Sequence, residues 1–212
     1  MKTMNVKKLV IGAIFAVLGL GFVPTAMAAG PKVSSMAFNQ DMRKLWEDHI
    51  TWTRLYIVNA LADLPSKEAA ANRLLSNQVD IGNLIKPFYG DEAGNQFSAL
   101  LKDHILIAAE VVDAAKAGDA VKQKEASKRW YENSNDIAFF FEKINPKNWP
   151  YPEMKSMMFE HLDTTTEEVS ARLNKDWTGD IASYDKLHGQ ILKMADMLSS
   201  GIVKQFPDRF KK

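Results

Sequence analysis

The sequence predicts an all-α fold, an antiparallel bundle of about six helices built from three helical hairpins. Three observations carry this. Alternating apolar and polar runs of the kind that make half-buried strands are absent. Helix-stopping and helix-starting residues recur at intervals of one helix length. One helical pattern is written three times, in "LWEDHITWTRLYI" (45–57), "LLKDHILIAAEVV" (100–112) and "MMFEHLDTTTEEV" (157–169).

Residues 1–28 read as an export signal. Lys2, Lys7 and Lys8 make a positive start, residues 9–23 an apolar core, and Ala26-Met27-Ala28 a small-x-small cleavage site. The apolar core is shorter than the ~20 residues a spanning helix needs, so a membrane is involved only through this segment, if it stays attached. Residues 29–40 read as a polar leader and 41–212 as a single helical-bundle domain. The chain has no cysteine, which excludes disulfides and thiolate metal sites. Removing residues 1–28 takes away three of 27 basic residues and none of 26 acidic ones, leaving 24 against 26. That balance offers no basic footprint for nucleic acid.

The expected breaks follow in chain order. Leu64-Pro65-Ser66 closes the first helix and caps the next. Lys86-Pro87-Phe88-Tyr89-Gly90 ends the second. Ala117-Gly118-Asp119 supplies a C-terminal glycine and an N-cap aspartate. Asn145-Pro146 through Pro152-Glu153 forms the longest connector, with Pro152 suited to a first helical turn. A weaker break falls at 174–178.

In each copy of the repeat a histidine (His49, His104, His161) follows an acid (Asp48, Asp103, Glu160). An apolar residue stands four before it (Leu45, Leu100, Met157) and another eight after it (Ile57, Val112, Val169). Positions −4, 0, +4 and +8 share one helix stripe, so the histidines are expected to point inward. Position +4 is small in every copy (Thr53, Ala108, Thr165), which leaves space beside the ring. A second pattern, Arg73…Asn77…Asp80, recurs as Arg129…Asn133…Asp136. The third copy, from Arg172 to Asp180, fits less well.

Two readings of these histidines stand side by side. In one, each imidazole is a core residue satisfied by a buried partner. In the other they converge and bind a divalent transition metal (zinc, iron, manganese or copper), as inward side chains of helical bundles do. Asp48, Asp103, Glu160, Asp80 and Asp136 would then support the shell. Glu-x-x-His, phosphate loops and nucleophile elbows are absent. His188 belongs to no copy and ranks below the other three.

At "LWEDHITWTR", "NQVDIGNLIKPFYGDEAGNQF", "WYENSNDIA", "ARLNKDW" and "GIVKQFPDRF" the chain resembles a family of small helical proteins of bacilli and related Gram-positive bacteria. Members of that family often carry the labels glycosyltransferase or acetylglutamate kinase. The resemblance implies a helical fold and an export context; it supplies no motif for either reaction. The sequence therefore points to an extracytoplasmic protein that binds a small ligand or a metal ion through inward histidines. An interaction protein of the cell envelope without a cofactor is the alternative, and an enzyme using the same pocket comes third.

Overall fold

A computed structural model describes residues 32–211, and the export segment lies outside them. Five helices follow one another: α1 (Ser35–Leu61), α2 (Lys67–Ala117), α3 (Ala120–Ile144), α4 (Tyr151–Leu173) and α5 (Trp177–Gln205). The all-α class is what the structure has. Two two-residue strands, β1 (Val33–Ser34) and β2 (Phe210–Lys211), add a parallel pair that the sequence pattern did not announce. No helix among the described residues is long and apolar enough to cross a membrane.

The ends of the helices show why they form where they do. Ser34 caps α1 by accepting from the Ala37 N–H, so the helix opens inside the stretch read as a leader. Asp119 accepts from Lys122 N–H at the start of α3, and Asp176 from Gly179 N–H at the start of α5. Gly118, at φ 67°, adopts the left-handed conformation that closes α2. Ser66 occupies the N-cap position of α2, but its side chain makes no capping bond.

The helix count is five rather than about six because α2 stays helical through Pro87 and up to Gly90. There the backbone alone departs, at φ 85° and ψ 169°, a combination essentially confined to glycine. The chain doubles back at that point. A Cβ placed on Gly82 would meet the Gly94 carbonyl oxygen at 2.5 Å, and Lys67 pairs with Asp113 at 2.7 Å. Residues 67–89 and 91–117 are thus two arms lying against each other in opposite directions. The small residues Gly82, Gly94 and Ser98 permit the close approach.

α1 packs against α2 and α5, α3 against α2 and α4, and α4 against α5, so the helices close into a ring. The main core lies towards the Gly90 end. It joins Phe38, Met42 and Trp46 of α1 with Phe97, Phe140, Phe141 and Trp149, and with Leu187, Ile191 and Met194 of α5. Phe210 reaches in from β2 to stack on Phe88 at 5.4 Å.

Candidate functional site

His49, His104 and His161 come from α1, the second arm of α2, and α4, and they meet. The ring centroids of His49 and His161 are 5.7 Å apart, and those of His104 and His161 are 6.1 Å apart. Their exposures are 2%, 2% and 4%, so all three are core residues, as the shared stripe requires. Each rests on the same local construction. An amide from the partner helix donates to the carbonyl four residues before the histidine: Asn77 to Leu45 O (3.0 Å), Asn133 to Leu100 O (3.1 Å) and Gln190 to Met157 O (2.9 Å). The third amide is therefore Gln190 in α5. The Arg172–Asp180 stretch, taken from sequence as the third copy of the partner helix, does something else.

The amides also set the rings. His104 Nδ1–H donates to Asn133 Oδ1 at 2.8 Å, and His104 Nε2 accepts from Trp130 Nε1–H at 3.1 Å. In the first copy an extra amide intervenes, with Gln78 Nε2 lying 3.2 Å from His49 Nδ1. In the third, the Gln190 amide is the polar group that acts on His161.

Burial is the largest influence on all three rings, and it disfavours the charged form. It drives His104 down to about 3 and His161 to about 4, and it holds His49 well below the ordinary 6.5. The neighbouring rings push His49 and His104 down further. All three are neutral at neutral pH.

Beside the rings lies a cavity of about 150 Å³. Thr53, Ala108 and Thr165, the small residues four after each histidine, all line it. Its walls are otherwise mostly aliphatic, with Ile57, Leu74, Ile105, Val112 and Val169 among them. The lining runs from the buried rings to Thr166, Ser170 and Leu173 on α4, which reach solvent. No ionised side chain lines it.

The five carboxylates expected to support a metal are elsewhere. Asp103, Glu160, Asp80 and Asp136 are exposed. Asp48 pairs with Lys44 at 2.8 Å on the outside of α1, and Asp80 faces Arg73 at 3.6 Å. An acid one residue before an inward histidine is turned by about 100°, and that rotation carries it to the surface. His104 has both nitrogens engaged and so has no lone pair to give. Among the described residues no three histidine or carboxylate groups are placed to hold one metal ion. His188 is at the surface, 3.2 Å from Glu47.

A buried ionic cluster escaped the sequence reading. Arg54 donates to Glu168 Oε1 (2.6 Å) and forks onto both oxygens of Asp180 (2.8 and 3.0 Å), which also accepts from Arg172 (2.8 Å). Glu168 is 0% exposed, and burial raises it to about 6 despite Arg54. Burial pulls Asp180 upward too, but Arg54 and Arg172 together hold it below its ordinary value. One sign was present in the repeat. Glu168 stands seven after its histidine, where the other copies carry the inward Tyr56 and Val111.

The chain matches no protein-family model, no curated protein and no solved structure.

Proposed function

We propose that this is an extracytoplasmic binding protein, folded as three helical hairpins, that holds a small neutral ligand in the cavity beside His49, His104 and His161. The observation that carries the reading is the cavity itself, about 150 Å³ of mostly aliphatic wall against three neutral imidazoles. Unfilled space in a core is destabilising. The small residue at +4 in every copy builds that space systematically. A cavity of this size fits a ligand about as large as benzene. An ion would enter unpaired, because no opposite charge lines the wall.

The test is calorimetry and thermal melting with toluene, beside elemental analysis of protein purified without a His tag. Toluene should bind and raise the melting temperature. An Ala108→Leu variant, which fills the cavity, should melt no lower than the parent and no longer respond. A stoichiometric metal that disappears in His49→Ala would overturn the neutral-ligand reading in favour of a metal site. Absence of binding by toluene and by its polar isosteres alike would also overturn it.

A further inference from the structure

The repeat supplies three histidines, but their surroundings make them three different instruments, and the hydrogen-bond network says which. His104 is closed: Nδ1–H is spent on Asn133 Oδ1 and Nε2 on Trp130. The positions corresponding to Trp130 in the other two copies hold Leu74 and Leu187, which offer nothing to a ring nitrogen.

His161 follows the same logic without the tryptophan. Gln190 commits its Nε2 to Met157 O at 2.9 Å, so its oxygen is the end left for His161. His161 Nδ1 and Gln190 Oε1 are both fully buried and neither makes a hydrogen bond, which leaves the amide oxygen as the acceptor on hand for that nitrogen. An acceptor there places the proton on Nδ1 and leaves Nε2 as an acceptor.

His49 is reversed. Gln78 Nε2 donates one N–H to Leu74 O at 2.8 Å, which fixes the orientation of the amide, and its second N–H is shared between Asn77 Oδ1 and His49 Nδ1, each at 3.2 Å. A donor facing Nδ1 requires a lone pair there, so the proton sits on Nε2. The residue responsible is Gln78, where the other copies carry Ser134 and Ile191. The two adjacent rings thus offer one donor, His49 Nε2–H, and one acceptor, His161 Nε2. No hydrogen bond links them although their centroids are 5.7 Å apart, and both rings line the cavity.

We propose that the cavity selects an un-ionised hydroxyl on a small apolar body: His49 Nε2–H donates to the hydroxyl oxygen, and the hydroxyl hydrogen goes to His161 Nε2. A carbonyl could use only the first contact and an ether likewise, while a methyl group uses neither. A carboxylate or ammonium would bring a charge that nothing in the wall balances. This inference rests on the ligand-cavity reading above and adds the chemistry of the head group.

Two isosteric pairs test it by calorimetry at pH 7: phenol against toluene, and cyclohexanol against cyclohexanone. Two modest hydrogen bonds should make phenol bind roughly tenfold or more tighter than toluene, and cyclohexanol tighter than cyclohexanone. His49→Leu and His161→Leu should each bring the ratio of phenol to toluene affinity down towards one. Long-range proton–nitrogen NMR on the unsubstituted protein reads the tautomers directly and needs no variant to fold. It should find Nε2–H on His49 and Nδ1–H on His104 and His161. Toluene binding as tightly as phenol would overturn hydroxyl selection and leave the cavity reading standing, as would a Nδ1–H tautomer at His49. Failure of all four compounds to bind would remove both.

Discussion

At the scale of the residue, three neutral imidazoles in one core tie the stability of the fold to pH. A histidine whose folded value lies below its unfolded 6.5 contributes fully above 6.5. It loses that contribution as the pH falls towards the folded value, because the unfolded chain takes up protons that the core refuses. With His104 at about 3 and His161 at about 4, and His49 lowered in the same direction, the window runs from pH 6.5 down to about 4 for His161 and about 3 for His104. Glu168 acts in the opposite sense. Raised to about 6 from 4.5, it favours the folded state below 4.5 and loses that contribution as pH rises through 6. Three histidines outweigh one glutamate, so the net effect is destabilisation by acid. Urea titrations should give a constant unfolding free energy between pH 8 and 7. Below 6.5 the slope should rise to as much as about 3 kcal/mol per pH unit, from ~1.4 per neutral histidine less the opposing share of Glu168. A His161→Leu variant should lose up to about 1.4 kcal/mol per pH unit of that slope. A free energy flat from pH 8 to 5 would mean that the rings are not the neutral core residues described.

At the scale of the element, the sharpest single constraint is Gly90. Nothing lies within 4 Å of a Cβ built there, so Gly90→Ala meets no clash and isolates the backbone strain of φ 85°, ψ 169°. That strain should cost on the order of 1–3 kcal/mol, read as a lower urea midpoint with an unchanged m-value. A variant as stable as the parent would mean that the reversal at Gly90 tolerates another geometry. The break there was legible in Pro87 and Gly90, as were the turns at Ala62–Ser66, Gly118–Asp119 and Asn174–Asp176, because each uses residues whose conformational preferences are local. The inward histidines were legible for a similar reason, since a stripe at helical spacing fixes the facing of a side chain. What stayed hidden depends on tertiary packing. The third amide is a glutamine at 190 rather than an asparagine, and only the alignment of α5 on α4 reveals that it matches Asn77 and Asn133. The pairing of β1 with β2 is two residues long and is held by Phe210 against Phe38 and Phe88. No periodicity of two can announce so short a strand. The tautomer of His49 depends on Gln78, a contact across 29 residues of chain.

At the scale of the molecule, the ring of helices closes where α5 returns to α1, and that seam is marked by polar pairs along its length. Asn39 and Arg43 reach Asp196, Glu47 reaches His188, and Arg54 reaches Asp180, so the two helices run antiparallel from end to end. The first two pairs are largely solvated and contribute little. The third is different, because Arg54 also holds the fully buried Glu168 of α4 and so joins three helices at one point. Replacing it by a methionine of similar length keeps the packing and leaves Glu168 with no cation in contact and Asp180 with Arg172 alone. Removing one partner of a buried ion pair costs about 3–5 kcal/mol, because the charge that remains is uncompensated. Arg54→Met should therefore destabilise the protein by that amount at pH 8. The sign of the pH dependence then separates charge from packing. Without Arg54 the folded values of both carboxylates rise, that of Glu168 further above its unfolded value and that of Asp180 up from its depressed one, so the penalty is full at high pH and shrinks as the pH falls and they take up protons. The gap between variant and parent should narrow from pH 8 to pH 5. The histidine contribution is common to both proteins and cancels in that difference. A gap that stays constant across the range would assign the role of Arg54 to packing, and would leave the closure of the ring to the apolar contacts of α5.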